Sequence, residues 1–122
     1  MKVLIIDDSA ALRRRLIAIL LEDDGIDDVA EAFDSTSGLD ALEKANPDLV
    51  ILDLNLPGES GLALLPRLKE RAPHVPIIVL TNHSSRQYAE RCRQLGADDF
   101  LDKSKDFSRL APLLERLRAK PA

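Results

Sequence analysis

The apolar run Leu49-Val50-Ile51-Leu52 leads directly into Asp53, and Leu54-Asn55-Leu56-Pro57-Gly58 follows. Such a run reads as a strand buried on both faces, and Pro-Gly reads as the turn that leaves it. Asp53 therefore stands where a core strand leaves the interior. A second run, Val3-Leu4-Ile5-Ile6, ends the same way, in Asp7-Asp8. Carboxylates gathered at the ends of two core strands repel each other unless a cation or shared protons relieve them. Hard oxygen donors suit Mg²⁺, which keeps several waters and takes one or two carboxylates. The chemistry on offer is a divalent-cation site, or a reaction at a carboxylate. The plainer alternative is that each aspartate only caps the helix after it.

These acids converge only if the chain brings their strands together. Residues 3–6, 49–52 and 77–80 are apolar enough to be covered on both faces. Residues 29–33 and Asp99–Asp102 mix apolar and acidic side chains and read as edge strands. Helical spacing fills the gaps. Leu12, Leu16, Ile19 and Leu20 share one face, and Leu39 and Leu42 follow the helix-start residues Ser35-Thr36-Ser37. Leu62, Leu65 and Leu68 mark a third helix after Gly58-Glu59-Ser60-Gly61. Tyr88, Cys92 and Leu95 mark a fourth, started by Ser84-Ser85-Arg86-Gln87 and ended by Gly96. Leu110, Leu113, Leu114 and Leu117 mark a fifth. Pro66 and Pro112 interrupt helical patterns and predict a kink or a shifted boundary at each.

Strand–helix alternation implies an α/β fold, a doubly wound parallel sheet with right-handed crossovers. The apolar strands one, three and four belong in its centre and strands two and five at its edges. The order 2-1-3-4-5, flanked by five helices, satisfies this. Its switch point lies between strands one and three, where ligands bind at the strands' carboxyl ends. Asp7, Asp8 and Asp53 occupy those ends. Strand four ends in Thr81, and strand five runs into Lys103. A hydroxyl and an ammonium facing a carboxylate cluster can bind phosphoryl oxygens. Alternatively, Thr81 or Ser84 caps the fourth helix and Lys103 is a solvated lysine.

The bulk numbers fit this frame. The chain has 122 residues, enough for one domain that needs no staple, and 45% of them are hydrophobic. The core is aliphatic, with three Phe, one Tyr and no Trp. A net charge of −4 argues against a nucleic-acid-binding surface. One cysteine, Cys92, excludes an internal disulfide and fits a reducing compartment. No stretch has signal-peptide or transmembrane length, so the expectation is a cytoplasmic protein without membrane contact.

Taken in order, Asp7-Asp8, Asp53 within residues 52–58, Thr81 after Ile78-Val79-Leu80, and Phe100 with Lys103 resemble the receiver domain of two-component response regulators, including chemotaxis receivers. The resemblance runs from Lys2 to about Leu117. It implies a flavodoxin-like fold forming a single receiver domain over residues 1–122. It implies that Asp53 is the phosphoacceptor, attacking a phosphohistidine on a sensor histidine kinase or phosphotransfer protein. Mg²⁺ would be held by Asp8, Asp53 and the main-chain carbonyl of Asn55, and by Asp7 through a water. Lys103 would pair with the phosphoryl group and Thr81 would hydrogen-bond to it. Phe100 would be the switch aromatic that turns inward as Thr81 moves. The face of helix four, strand five and helix five would then change for a downstream protein. Asn55 and His83 stand at positions that tune phosphate lifetime in the family, with an exposed loop residue as the equal alternative for His83. Such a domain catalyses only its own phosphorylation and dephosphorylation.

Two positions depart from the family pattern. Phe100 lacks the hydroxyl of a Tyr, so its burial must be read by packing alone. Ser104 follows Lys103 where many receivers have Pro, and a cis peptide there would cost about 2.5–4 kcal/mol. Elsewhere, Arg13-Arg14-Arg15 reads as a solvated helix face, with kinase docking as the alternative. Arg109, Arg116 and Arg118 read similarly, with a phosphorylation-dependent homodimer as the speculative option. Cys92 reads as core. Two other functions stay in view. A haloacid-dehalogenase-type phosphatase also uses a strand-end Asp and Mg²⁺, but needs a second acid where Asn55 stands. A receiver-like interaction module that is never phosphorylated would not need the intact acid pair, Thr81 and Lys103.

Overall fold

The computed structural model describes residues 1–82, 86–103 and 107–119. The expectations placed on His83, on Ser84-Ser85 and on the Lys103–Ser104 peptide lie outside the described residues.

Five strands alternate with five helices. They are β1 (Lys2–Ile6), α1 (Ala10–Leu21), β2 (Asp28–Ala32), α2 (Ser35–Ala45), β3 (Leu49–Leu52), α3 (Gly61–Arg71), β4 (Ile77–Thr81), α4 (Arg86–Gln94), β5 (Asp99–Asp102) and α5 (Leu110–Ala119), the last preceded by a 3₁₀ turn, Phe107–Arg109. All strand pairs are parallel, in the expected order β2-β1-β3-β4-β5. Side chains alternate across the sheet and divide the core into two layers. Leu4, Ile6, Val50, Leu52, Ile77 and Val79 pack against α2, α3 and α4, through Leu39, Leu42, Leu64, Leu65, Leu68 and Cys92. Val3, Ile5, Leu49, Ile51, Ile78, Leu80 and Leu101 pack against α1 and α5, through Leu16, Leu20, Leu110, Leu113 and Leu114. The central strands must be apolar on both faces because helices cover both. The edge strands β2 and β5 are only partly buried.

Two local expectations, the end of β2 and the cap of α2, need correction. β2 ends at Ala32, one residue early, because the Phe33 N–H leaves the sheet and donates to Ser37 Oγ at 3.0 Å. The Phe33 ring stands 55% exposed. The cap of α2 is Asp34 rather than the serines after it: its carboxylate accepts the Ser37 N–H, and Ser37 closes a reciprocal capping box. Pro66 neither ends α3 nor shifts its boundary. It lies on the exposed face, where the carbonyl that loses its partner can turn to water. Pro112 is the third residue of α5, within the first turn, where a missing N–H costs nothing.

One glycine sets the distance between a helix and the end of β3. The Gly61 N–H, at the start of α3, donates to the Leu54 carbonyl at 2.8 Å. A Cβ on Gly61 would lie 2.5 Å from the Asp53 carbonyl oxygen and 2.6 Å from Leu54 Cα. Both obstacles are backbone and cannot rotate away. Gly61→Ala should therefore destabilise the fold by about 1–3 kcal/mol, the range for forced overpacking. Gly58→Ala meets no neighbour but holds a φ of 79°, and should lose only about 1 kcal/mol. Urea unfolding of both variants checks the order; an unchanged Gly61→Ala midpoint would contradict the close approach.

Candidate functional site

β1 and β3 are neighbours, with Ile6 opposite Leu52, so the next residue of each strand emerges at the same edge. The Asp53 N–H donates to the Ile6 carbonyl at 2.9 Å, and the Asp7 N–H donates to the Ala32 carbonyl at 3.0 Å. The ladder thus continues through both aspartates and holds their backbones. One carboxylate oxygen from each of Asp7, Asp8 and Asp53 lies within 4.8 Å of the others. Asp7 and Asp53 are buried, at 2% and 3% exposure, whereas Asp8 faces solvent.

Lys103 reaches this cluster from β5. Its N–H donates to the Thr81 carbonyl at 2.9 Å, which fixes its backbone beside the end of β4. Its Nζ lies 3.0 Å from Asp7 Oδ2 and 3.2 Å from Asp53 Oδ1. It is an internal partner of two buried carboxylates, not a solvated lysine. The remaining Asp7 oxygen, Oδ1, accepts the Ser9 N–H at 2.9 Å. Asp53 Oδ1 also accepts the Asn55 N–H, at 3.2 Å. Both contacts on Asp53 fall on the same oxygen, away from Oδ2.

Burial, and then the neighbouring Asp7 charge, push the Asp53 carboxyl above the ordinary carboxylate range. The Asn55 N–H and the Lys103 ammonium pull the other way and lose. An all-oxygen set carrying more negative charge than Lys103 balances fits a small divalent cation. Among the described residues these three aspartates form the acidic group able to hold one.

The other expected residues fall around this centre. Thr81 is fully buried as the last residue of β4, opposite Asp102 of β5. Phe100 pairs with Val79 and packs, half-buried, on the layer of the core that contains Cys92. Val79 lies in the same layer, so by alternation Thr81 and Phe100 project from one face of the sheet. Phe100 borders a surface cavity of about 370 Å³ between α4, β5 and the turn before α5. Arg116 pairs with Asp99 of its own chain at 2.9 Å.

Three supporting residues escaped the sequence reading. Ser9 caps α1 and holds Asp7; its spacing two residues after an aspartate is a recognisable turn signal. Gly61 left no signal beyond being a glycine near a helix start. In the sequence nothing separates Arg13 from Arg14 and Arg15 on a solvated face, but its side chain is only 16% exposed. Its Nη1 donates to the Asp7 carbonyl at 2.6 Å, and its Nε donates to Glu31 at 2.9 Å.

Comparison with known proteins identifies the family and the fold. The family description "response regulator receiver domain" matches residues 3–115. The chemotaxis protein CheY of Pseudomonas aeruginosa is 37% identical over 105 residues, covering 84% of each chain. A protein-glutamate methylesterase/protein-glutamine glutaminase of Koribacter versatilis is 35% identical over 111 residues, covering 89% of this chain and 30% of that protein. The chain spans about a third to a half of the length of several such relatives. Among solved structures, the receiver domain of Francisella response regulator 1452 superposes with a TM-score of 0.86 at 28% identity, covering 98% of each chain.

The raised Asp53 carboxyl has a consequence for stability. Below about pH 4 both folded and unfolded chains hold the proton and the group is neutral in its effect. As pH rises the unfolded chain ionises first, so the folded state loses stability until pH passes the raised native value. Asp53→Asn should therefore melt higher than wild type at about pH 7 in metal-free buffer, and the gap should close towards pH 4. At this size each kcal/mol gained is worth about 4 °C. Thermal unfolding followed by circular dichroism across that range checks it; a gap that widens in acid would contradict the sign.

Proposed function

The chain belongs to the response regulator receiver domain family of two-component signalling, and from that premise we propose that Asp53 is its phosphoacceptor, working with Mg²⁺. One observation carries the reading: Asp53 is buried within a three-carboxylate cluster, with Lys103 and the Asn55 N–H both on Oδ1. Oδ2 is then the oxygen aimed at a donor. It attacks the phosphorus of a phosphohistidine in line; the O–P bond forms as the P–N bond breaks, and the imidazole nitrogen leaves with its electron pair. Lys103 offers its ammonium to the phosphoryl oxygens, and the Thr81 hydroxyl offers a hydrogen bond from the adjacent strand. Asp8, Asp53 and the Asn55 carbonyl would hold Mg²⁺, with Asp7, whose two oxygens already serve Ser9 and Lys103, acting through a water. The cation's contribution when bound is to neutralise the carboxylates and the transferred group.

The domain extends over residues 1–122 and performs no chemistry beyond its own phosphorylation and dephosphorylation. Its donor is a sensor histidine kinase or phosphotransfer protein. Its target is a downstream protein met by α4, β5 and α5. Thr81 and Phe100 share a sheet face, so a Thr81 drawn towards phosphate vacates space for the Phe100 ring. The phosphoryl group biases this equilibrium only through contacts that differ between the two states. No helix of the described residues is long and apolar enough to cross a membrane, which suits the cytoplasmic location we propose. A dehalogenase-type phosphatase is disfavoured by Asn55, which stands where that chemistry needs an acid.

Incubation with acetyl phosphate and Mg²⁺ should give a phospho-adduct on Asp53 by mass spectrometry, and Asp53→Asn should abolish it. Full labelling of that variant, or rapid phosphate release with no adduct, would overturn the assignment. Asp8→Asn should weaken Mg²⁺ binding about tenfold or more, by calorimetric titration. Phe100→Ala should still be labelled, yet beryllofluoride should perturb its amide resonances from Thr81 to Lys103 less than in wild type. Equal perturbation in both would remove Phe100 from the switch.

A further inference from the structure

Arg13 lies outside the acids, the lysine and the threonine, yet its side chain reaches their backbone. It sits in the first turn of α1, where its own N–H donates to the Ser9 carbonyl at 3.0 Å. Its guanidinium turns back past that turn. Nη1 donates to the main-chain carbonyl of Asp7 at 2.6 Å, while Nε donates to Glu31 on β2 at 2.9 Å. One planar fork therefore ties three elements together: the exit of β1, the start of α1 and the edge strand β2. Lysine could not replace it, since an ammonium on a flexible stem has no second nitrogen in a fixed plane.

The span it closes is short. Ser9 N–H to Asp7 Oδ1 anchors the Asp7 carboxylate, and the Asp7 N–H is held by Ala32. The peptide between Asp7 and Asp8 is then restrained at its carbonyl by Arg13. That peptide's orientation sets where the exposed Asp8 carboxylate can stand relative to the buried Asp53. We propose that Arg13, held by Glu31, is a positioning residue for the cation site: it fixes the Asp7–Asp8 peptide so that Asp8 is presented to Asp53 before the cation arrives. This rests on the reading of Asp8 and Asp53 as ligands.

Charge must be separated from geometry. Removing Arg13 alone leaves the Glu31 charge near the site, which attracts a cation and masks a loosened peptide. The charge-neutral double variant Arg13→Gln/Glu31→Gln removes the fork without changing net charge. Calorimetric titration with MgCl₂ should show it binding about tenfold more weakly than wild type, the low end of the range for residues that orient metal ligands. The loss should persist in high salt, where a purely Coulombic effect fades. Arg13→Lys, which keeps the charge but satisfies one partner at a time, should fall between the two. A folded double variant with wild-type affinity, or Arg13→Lys with wild-type affinity, would overturn the proposal. Should the double variant fail to fold, Arg13→Lys decides alone. Wild-type protein that takes up no Mg²⁺ in the same titration would instead refute the cation site itself.

Discussion

Asp7 and Asp53 are buried side by side and share a single ammonium, that of Lys103. Asp8 adds a third carboxylate within 4.8 Å, at which distance two unit charges repel by about 3.5 kcal/mol at an effective dielectric constant of about 20. Fully ionised, three acids and one lysine leave two negative charges uncompensated. A divalent cation supplies that difference in full, whereas one proton would supply half of it. Burial and the Asp7 charge push the Asp53 carboxyl up, and the oxygen set suits a cation that would relieve that repulsion. Most other features of the fold exist to hold this unfavourable arrangement in place.

The sheet does most of that holding. β1, β3 and β4 are buried on both faces, so their register is strongly specified and their ends cannot slip. Asp7, Asp53 and Thr81 stand at those ends as the strands pass out of the core. Backbone contacts extend the control by one residue: Asp53 to Ile6, Asp7 to Ala32, Lys103 to Thr81. Gly61 lets α3 approach the Asp53–Leu54 peptide more closely than any side chain would allow. Arg13 and Ser9 do the same work for the β1–α1 loop through hydrogen bonds. The acids are thereby rigid without being packed against each other.

The opposite quality is found on the α4–β5 side. β5 is an edge strand, and α4 buries only Cys92 among its residues. An element with one buried anchor has little to lose by moving. Phe100 lies between that helix and the sheet, half-buried, on the same sheet face as Thr81. Rigidity at the acids and weak anchoring beside Phe100 suit the switch proposed for this face. A small displacement at one end of β4 can then be absorbed at the next strand rather than in the core.

The sequence alone pointed to the architecture, because apolar runs, acidic strand ends and helical spacing each follow from burial and are satisfied by the strand order the structure shows. It also singled out Asp7, Asp8, Asp53, Thr81 and Lys103, since polar residues that end core strands are conspicuous against an apolar pattern. What escaped it depended on contacts between segments far apart in the chain. Nothing in Arg13-Arg14-Arg15 shows that the first guanidinium turns inward to a backbone carbonyl, for only β2 brings Glu31 there. Nothing local to Gly61 reveals the Asp53 carbonyl against it. Nothing local to Lys103 shows which two carboxylates its ammonium reaches, for only β5 lying beside β4 brings it to Asp7 and Asp53. Phe33 looked like strand until Ser37 offered its backbone a better partner. Periodicity reports which residues face the core; only the packed chain decides which oxygens and nitrogens meet once they arrive.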